Sequence, residues 1–98
     1  MKPRITFAMR KAGGSDVPSI WLYLNPAGRD LLVQRLNALN ETEEHFHLQA
    51  EDWTFDVPLR QIAYVPEEAV IDDVKVLFRL DEWDSEYFPH VMTETPDD

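Results

Sequence analysis

The stretch NPAGRDLLVQRLNALN, residues 25–40, decides how the rest of the chain folds, because only here does the apolar spacing turn helical. Leu32, Leu36 and Leu39 recur at i, i+4 and i+7 with Val33 beside them, while Arg29, Gln34, Arg35 and Asn37 take the other faces. Asn25 offers a side-chain oxygen to the free N–H groups of a first turn. Pro26 follows at the position where a missing N–H costs nothing. The spacing predicts one amphipathic helix of about fifteen residues docked by its leucine face, with Asn40 as a left-handed cap.

Outward from this helix the period is two. In RITFAMR, Ile5, Phe7 and Met9 alternate with Thr6 and Ala8, a strand with one buried face. KAGGSDVPS is turn material. SIWLYLN carries Ile20, Leu22 and Leu24 on one side and Trp21 and Tyr23 on the other, which predicts a central strand covered on both faces. In HFHLQA, Phe46 and Leu48 face the core, so His45 and His47 face away. WTFDVPLRQIAYVP holds one or two short extended pieces broken by Pro58 and Pro66. In AVIDDVKVLFRL, Val74, Val76, Phe78 and Leu80 form one face and Lys75, Leu77 and Arg79 the other. The expected order is β-β-α-β-(β)-β. That is an α+β fold: a four- or five-stranded mixed or antiparallel sheet with one helix packed on one face. Residues 1–92 form the domain and the polar residues 93–98 a frayed tail.

Composition narrows the chemistry. The 98 residues are 44% apolar and contain no cysteine, so disulfides, thiolate metal sites and a cysteine nucleophile are excluded. No apolar run approaches a membrane span and the N-terminus lacks the apolar stretch of a signal peptide, so a cytoplasmic protein is expected. Charge is split along the chain. Residues 1–40 carry six Lys/Arg against two acids, and residues 41–98 carry three against seventeen, for a net charge of −10. Such a field repels nucleic acid and anionic membrane and attracts a basic protein.

Catalytic signals are weak. Ser15, Ser19 and Ser85 lack a Gly-x-Ser-x-Gly elbow, no glycine-rich phosphate loop follows a strand, and no pair of the many carboxylates stands out. No enzymatic activity and no cofactor are expected. The pair His45 and His47 shares one strand face and is the sharpest candidate for a metal, with Glu43, Glu51 or His90 as further ligands. A transition metal needs three or four convergent donors, and only two are fixed by spacing. The alternative is a plain solvent-facing strand.

A second feature is an echo. LQAEDWTFDV (48–57) and FRLDEWDSEY (78–87) both run from a strand into two acids and a tryptophan. Tryptophan gives a large rigid contact, and flanking carboxylates supply charge-assisted bonds to Lys or Arg. If both lie on one edge, Glu51, Asp52, Trp53, Asp81, Glu82, Trp83, Asp84 and Glu86 form an acidic, aromatic partner-binding face.

Asn25 to Gly28, His45-Phe46-His47-Leu48, Asp52-Trp53 and Val74-Lys75-Val76, spread over roughly residues 20 to 80, resemble the immunity protein 32 family of bacterial polymorphic toxin systems. The chain differs from that pattern in having Thr54 after the tryptophan and Asp73 before the late strand. The resemblance implies a small cytosolic antidote that binds and blocks a cognate toxin without chemistry of its own. Two other readings stand beside it: a metal-binding protein or enzyme using His45 and His47, and an acidic interaction or adaptor subunit outside toxin systems.

Overall fold

The computed structural model describes residues 2–11, 18–52 and 56–93. Within them the chain forms β1 (Ile5–Arg10), β2 (Ser19–Leu24), α1 (Pro26–Asn37), β3 (His45–Ala50), β4 (Val57–Leu59), β5 (Ala69–Val70), β6 (Asp73–Leu77), α2 (Asp81–Tyr87) and a 3₁₀ turn (Pro89–Met92). The fold is α+β. Instead of one sheet there are two three-stranded ones, ordered β2-β1-β5 and β4-β3-β6. Among the described residues only the β3–β4 pair is parallel. The sheets are stitched together where the Arg60 N–H, just after β4, donates to the Ile5 carbonyl of β1 (2.8 Å), and where the chain passes from β5 into β6. The core lies at this junction: Ile5, Phe46, Leu48, Val57 and Leu59, with Phe7, Leu31, Leu32, Leu39, Val74 and Val76 packed around them.

Helix α1 starts where its cap predicts. The Asn25 Oδ1 accepts from the Gly28 N–H at 2.7 Å and from the Arg4 N–H at 2.8 Å, so the cap also pins the helix to the start of β1. Gly28 sits so close to that strand that a Cβ there would lie 2.4 Å from the Arg4 carbonyl oxygen. This approach fixes the rotation of the helix. At about 100° per residue, Leu31 and Leu32 fall on the Gly28 side, whereas Leu36 is turned about 80° away. Leu36 is accordingly 45% exposed and Val33 48%, which corrects the expected apolar stripe. The helix is twelve residues long and ends at Ala38 in a right-handed conformation. Asn40 organises the next turn instead, its Oδ1 accepting from the Thr42 and Glu43 N–H groups at 2.8 Å each.

Strand positions also differ from expectation. β1 is the central strand of its sheet: Ile5, Thr6 and Ala8 are all buried, with β2 on one side and β5 on the other. β2 is an edge strand, and its apolar residues are largely exposed. Its composition suits burial on both faces, but only β1 flanks it among the described residues. β6 ends at Leu77, before the expected Phe78 and Leu80. The following acids open a second helix, because Asp81, Glu82 and Asp84 in a first turn favour its positive end.

Candidate protein-binding surface

The surface at the end of β6 is built by α2 and the 3₁₀ turn. Trp83 packs against Tyr87 and Phe88, with ring centroids 4.7 and 5.5 Å away. Arg79 lies over the Trp83 ring at 4.5 Å and over Phe88 at 5.8 Å, while its Nε stands 3.8 Å from the Asp84 carboxylate. Asp84 is thus drawn inward, and Asp81, Glu82 and Glu86 stay at the surface. The aromatic group remains open: Trp83 is 41% and Tyr87 57% exposed, with Phe88, Val91 and Met92 also exposed beside them. Next to Trp83 a cleft of ≈270 Å³ is lined by Glu41, Glu44, Phe78, Arg79 and Leu80. The result is an apolar patch with an acidic rim, joined to the body through the loop before β3, where the Phe78 N–H donates to the Glu44 carbonyl.

The two acid-acid-tryptophan units are not brought together. β3 and β6 are antiparallel, His45 opposite Leu77 and Gln49 opposite Asp73. Glu51 and Asp52 therefore follow one end of this pair and Asp81 follows the other, at least five strand rises or roughly 17 Å apart. Glu51 stands between Lys2 and Arg60, each 3.8 Å away, so its charge is partly met within the chain. Trp53 lies outside the described residues.

The two histidines do share a face. Their rings are 5.3 Å apart and perpendicular. His47 holds its Nδ1 buried without a hydrogen bond among the described residues, and its backbone N–H donates to Asp56 at 3.0 Å. His45 Nδ1 is 3.8 Å from Glu44. Among the described residues no three His, Cys, Asp or Glu side chains converge on one point, so Glu43, Glu51 and His90 do not complete the pair.

A cluster that sequence reading missed ties β1 and β2 to the loop before β5. The Glu68 side chain is fully buried. Its carboxylate accepts from Arg10 Nε (3.1 Å), the Tyr23 hydroxyl (3.0 Å) and the Tyr64 N–H (2.7 Å). Arg10 also donates to the Tyr23 hydroxyl at 2.6 Å, and Tyr23 stacks on Tyr64 at 3.9 Å. Burial alone would push the Glu68 carboxyl up, but the hydrogen bonds and the Arg10 charge outweigh it and hold it below its ordinary value. The buried carboxylate accepts from three neighbours, so this is a structural clamp. Sequence offers no local signal for it, since Arg10 and Glu68 are 58 positions apart.

Comparison with protein-family models, curated proteins and solved structures finds no match to this chain.

Proposed function

We propose that the protein is a non-catalytic, cytoplasmic inhibitor of the immunity type, which binds a basic toxin domain through the α2 surface and covers its active site. The observation that carries this reading is the open Trp83–Tyr87–Phe88 group inside the acidic rim of Asp81, Glu82 and Glu86. Large aromatic side chains at the centre of an interface hold a complex together, and rim charges of one sign speed encounter with a partner of the other. The split of charge is consistent with this choice, since residues 41–98 hold seventeen of the nineteen acids, those of the α2 rim among them. Of the eight residues in the expected face, Asp81, Glu82, Trp83, Asp84 and Glu86 form one surface, with Asp84 partly engaged by Arg79.

The test is co-purification with the product of the adjacent upstream gene, followed by binding kinetics. Trp83→Ala is expected to raise the dissociation rate by about 30-fold or more, as truncation of a central aromatic does (~2 kcal/mol). Asp81→Lys with Glu82→Lys is expected to slow association at low salt, with the difference fading as salt rises. Folded variants that bind and neutralise like the parent would move the interface elsewhere. A gene neighbourhood without a toxin, but with binding still centred on Trp83, would favour an adaptor using the same surface.

A further inference from the structure

The outer edge of β2 is the second unusual surface, and it belongs to the other sheet from the one that leads into α2. β2 pairs with β1 in unbroken register over six residues, Ser19 opposite Arg10 through Leu24 opposite Ile5. Its other edge has no strand among the described residues. The sequence SIWLYL contains no charge and no proline, the two devices that usually blunt an exposed edge. Ile20, Trp21, Leu22 and Leu24 are 56, 44, 43 and 39% exposed. Over the two faces of this edge they present on the order of 400 Å² of exposed surface.

We infer that β2 pairs with β2 of a second copy of this chain, joining two β2-β1-β5 sheets into one continuous antiparallel sheet. An edge asks for a strand, and the strand itself is self-complementary. A two-fold axis perpendicular to the sheet keeps the core face of both copies on the same side, so opposed residues must be of equal parity. Centred on Leu22, that axis sets Leu22 against Leu22, Trp21 against Tyr23 and Ile20 against Leu24. Apolar residues meet apolar ones on the core face, and aromatic rings meet aromatic rings on the other. The exposed side chains supply roughly half of the ~800 Å² per partner that a stable pair buries, and the backbone edge and strand flanks supply the rest. β2 itself carries no charge, so pairing here sets no like charges against each other within the strands, and α2 is not part of the paired sheet.

The purified full chain is expected to have twice its 11.5 kDa mass by sedimentation or light scattering. Leu22→Lys sets two ammonium groups together at the axis, and should weaken self-association about 100-fold or more while leaving the circular dichroism unchanged. The chain has no cysteine, which permits a test of register. With an added oxidant, Leu22→Cys should link two copies readily, because opposed Cα atoms lie about 4.5–5.5 Å apart, within disulfide reach. Ile20→Cys should not link to itself, because its two copies are about 14 Å apart in this register. A parent chain that stays monomeric up to sub-millimolar concentration would overturn the inference. So would a dimer in which Ile20→Cys links as well as Leu22→Cys. Both of these readouts hold even if the lysine variant fails to fold.

Discussion

The two outermost strands of the molecule, β2 and β6, carry leucines of nearly equal exposure and little else in common. Leu22 on β2 is 43% exposed and Leu77 on β6 is 45% exposed. Around Leu22 the strand reads SIWLYL, without a charge; around Leu77 it reads DVKVL, with Asp73 and Lys75 on the edge and α2 close behind. Charged side chains on an edge keep other strands from pairing with it, because pairing would desolvate them. β6 is therefore a guarded edge that leads into the acidic rim of α2, and β2 is an unguarded one. The difference teaches that equal exposure of one residue type does not mean equal availability: the neighbours along the strand decide.

Both edges depend on one small interior, so the largest effect belongs there. Leu48 of β3 is fully buried in the core between the sheets. Leu48→Ala is expected to cost about 2–5 kcal/mol in chemical denaturation, the range of buried leucine truncations. A loss below ~1 kcal/mol would mean that the two halves do not share a core, and the comparison of edges would become one of separate units.

The next effect is confined to the β2 side. A methyl group at Gly28 would stand 2.4 Å from the Arg4 carbonyl oxygen and 3.0 Å from the Ile5 side chain. Gly28→Ala must push α1 away from β1, and overpacking of this kind costs about 1–3 kcal/mol. Amide exchange should show reduced protection in β1 and α1 before any change in β6. A uniform decrease across both sheets would indicate that the helix supports the whole fold instead.

A smaller change separates the edges by pH. Glu68 anchors only the β1–β2 side, through Arg10 and Tyr23 and the Tyr64 N–H. Its carboxyl is held below the ordinary value of 4.5 in the folded chain. A lowered folded value means that the stabilisation is complete above the ordinary value and is lost as pH falls below it, through the folded value. On acidification, amides of β1 and β2 should therefore exchange faster than those of β3 and β6. Glu68→Gln should flatten that difference, at the cost of a less stable β2 at neutral pH. Equal acid sensitivity of both sheets in the parent chain would remove Glu68 from the account.

How much of the molecule is legible in its sequence follows from whether a contact is local. Asn25-Pro26 announces the start of α1, because capping depends on residues three positions apart. The alternation of Phe46 and Leu48 with His45 and His47 announces the core face of β3. SIWLYL reads as a central strand but lies at an edge, because a strand apolar on both faces looks the same whether it is buried within the chain or offers an edge. α2 escapes a sequence reading because its acids follow a strand directly, and seven residues carry little periodicity. The separation of Glu51 and Asp52 from Asp81 and Glu82 rests on the antiparallel pairing of β3 with β6, which no local pattern encodes. Glu68 belongs to the same class, since its partner Arg10 lies on a distant strand.

The smallest effect is expected from Leu77→Lys, and it sharpens the comparison most directly. The substitution has the same chemistry as Leu22→Lys at almost the same exposure. Here, however, the new ammonium enters an edge that already carries Lys75, in a strand that runs into the acids of α2. Its charge stays in water and meets carboxylates at a distance, which offsets the small decrease in apolar burial. Stability should stay within about 0.5 kcal/mol of the parent, as for ordinary surface substitutions. The mass in solution should also be unchanged, because among the described residues β6 pairs with nothing beyond β3. Sedimentation of the two lysine variants side by side is the decisive measurement. If Leu77→Lys alone lowers the mass, the copies meet through β6, and Lys75 does not guard that edge. If both variants lower it, the association is a general apolar effect with no preferred strand. Only a dimer broken by Leu22→Lys and kept by Leu77→Lys fits an edge chosen by the residues that surround it.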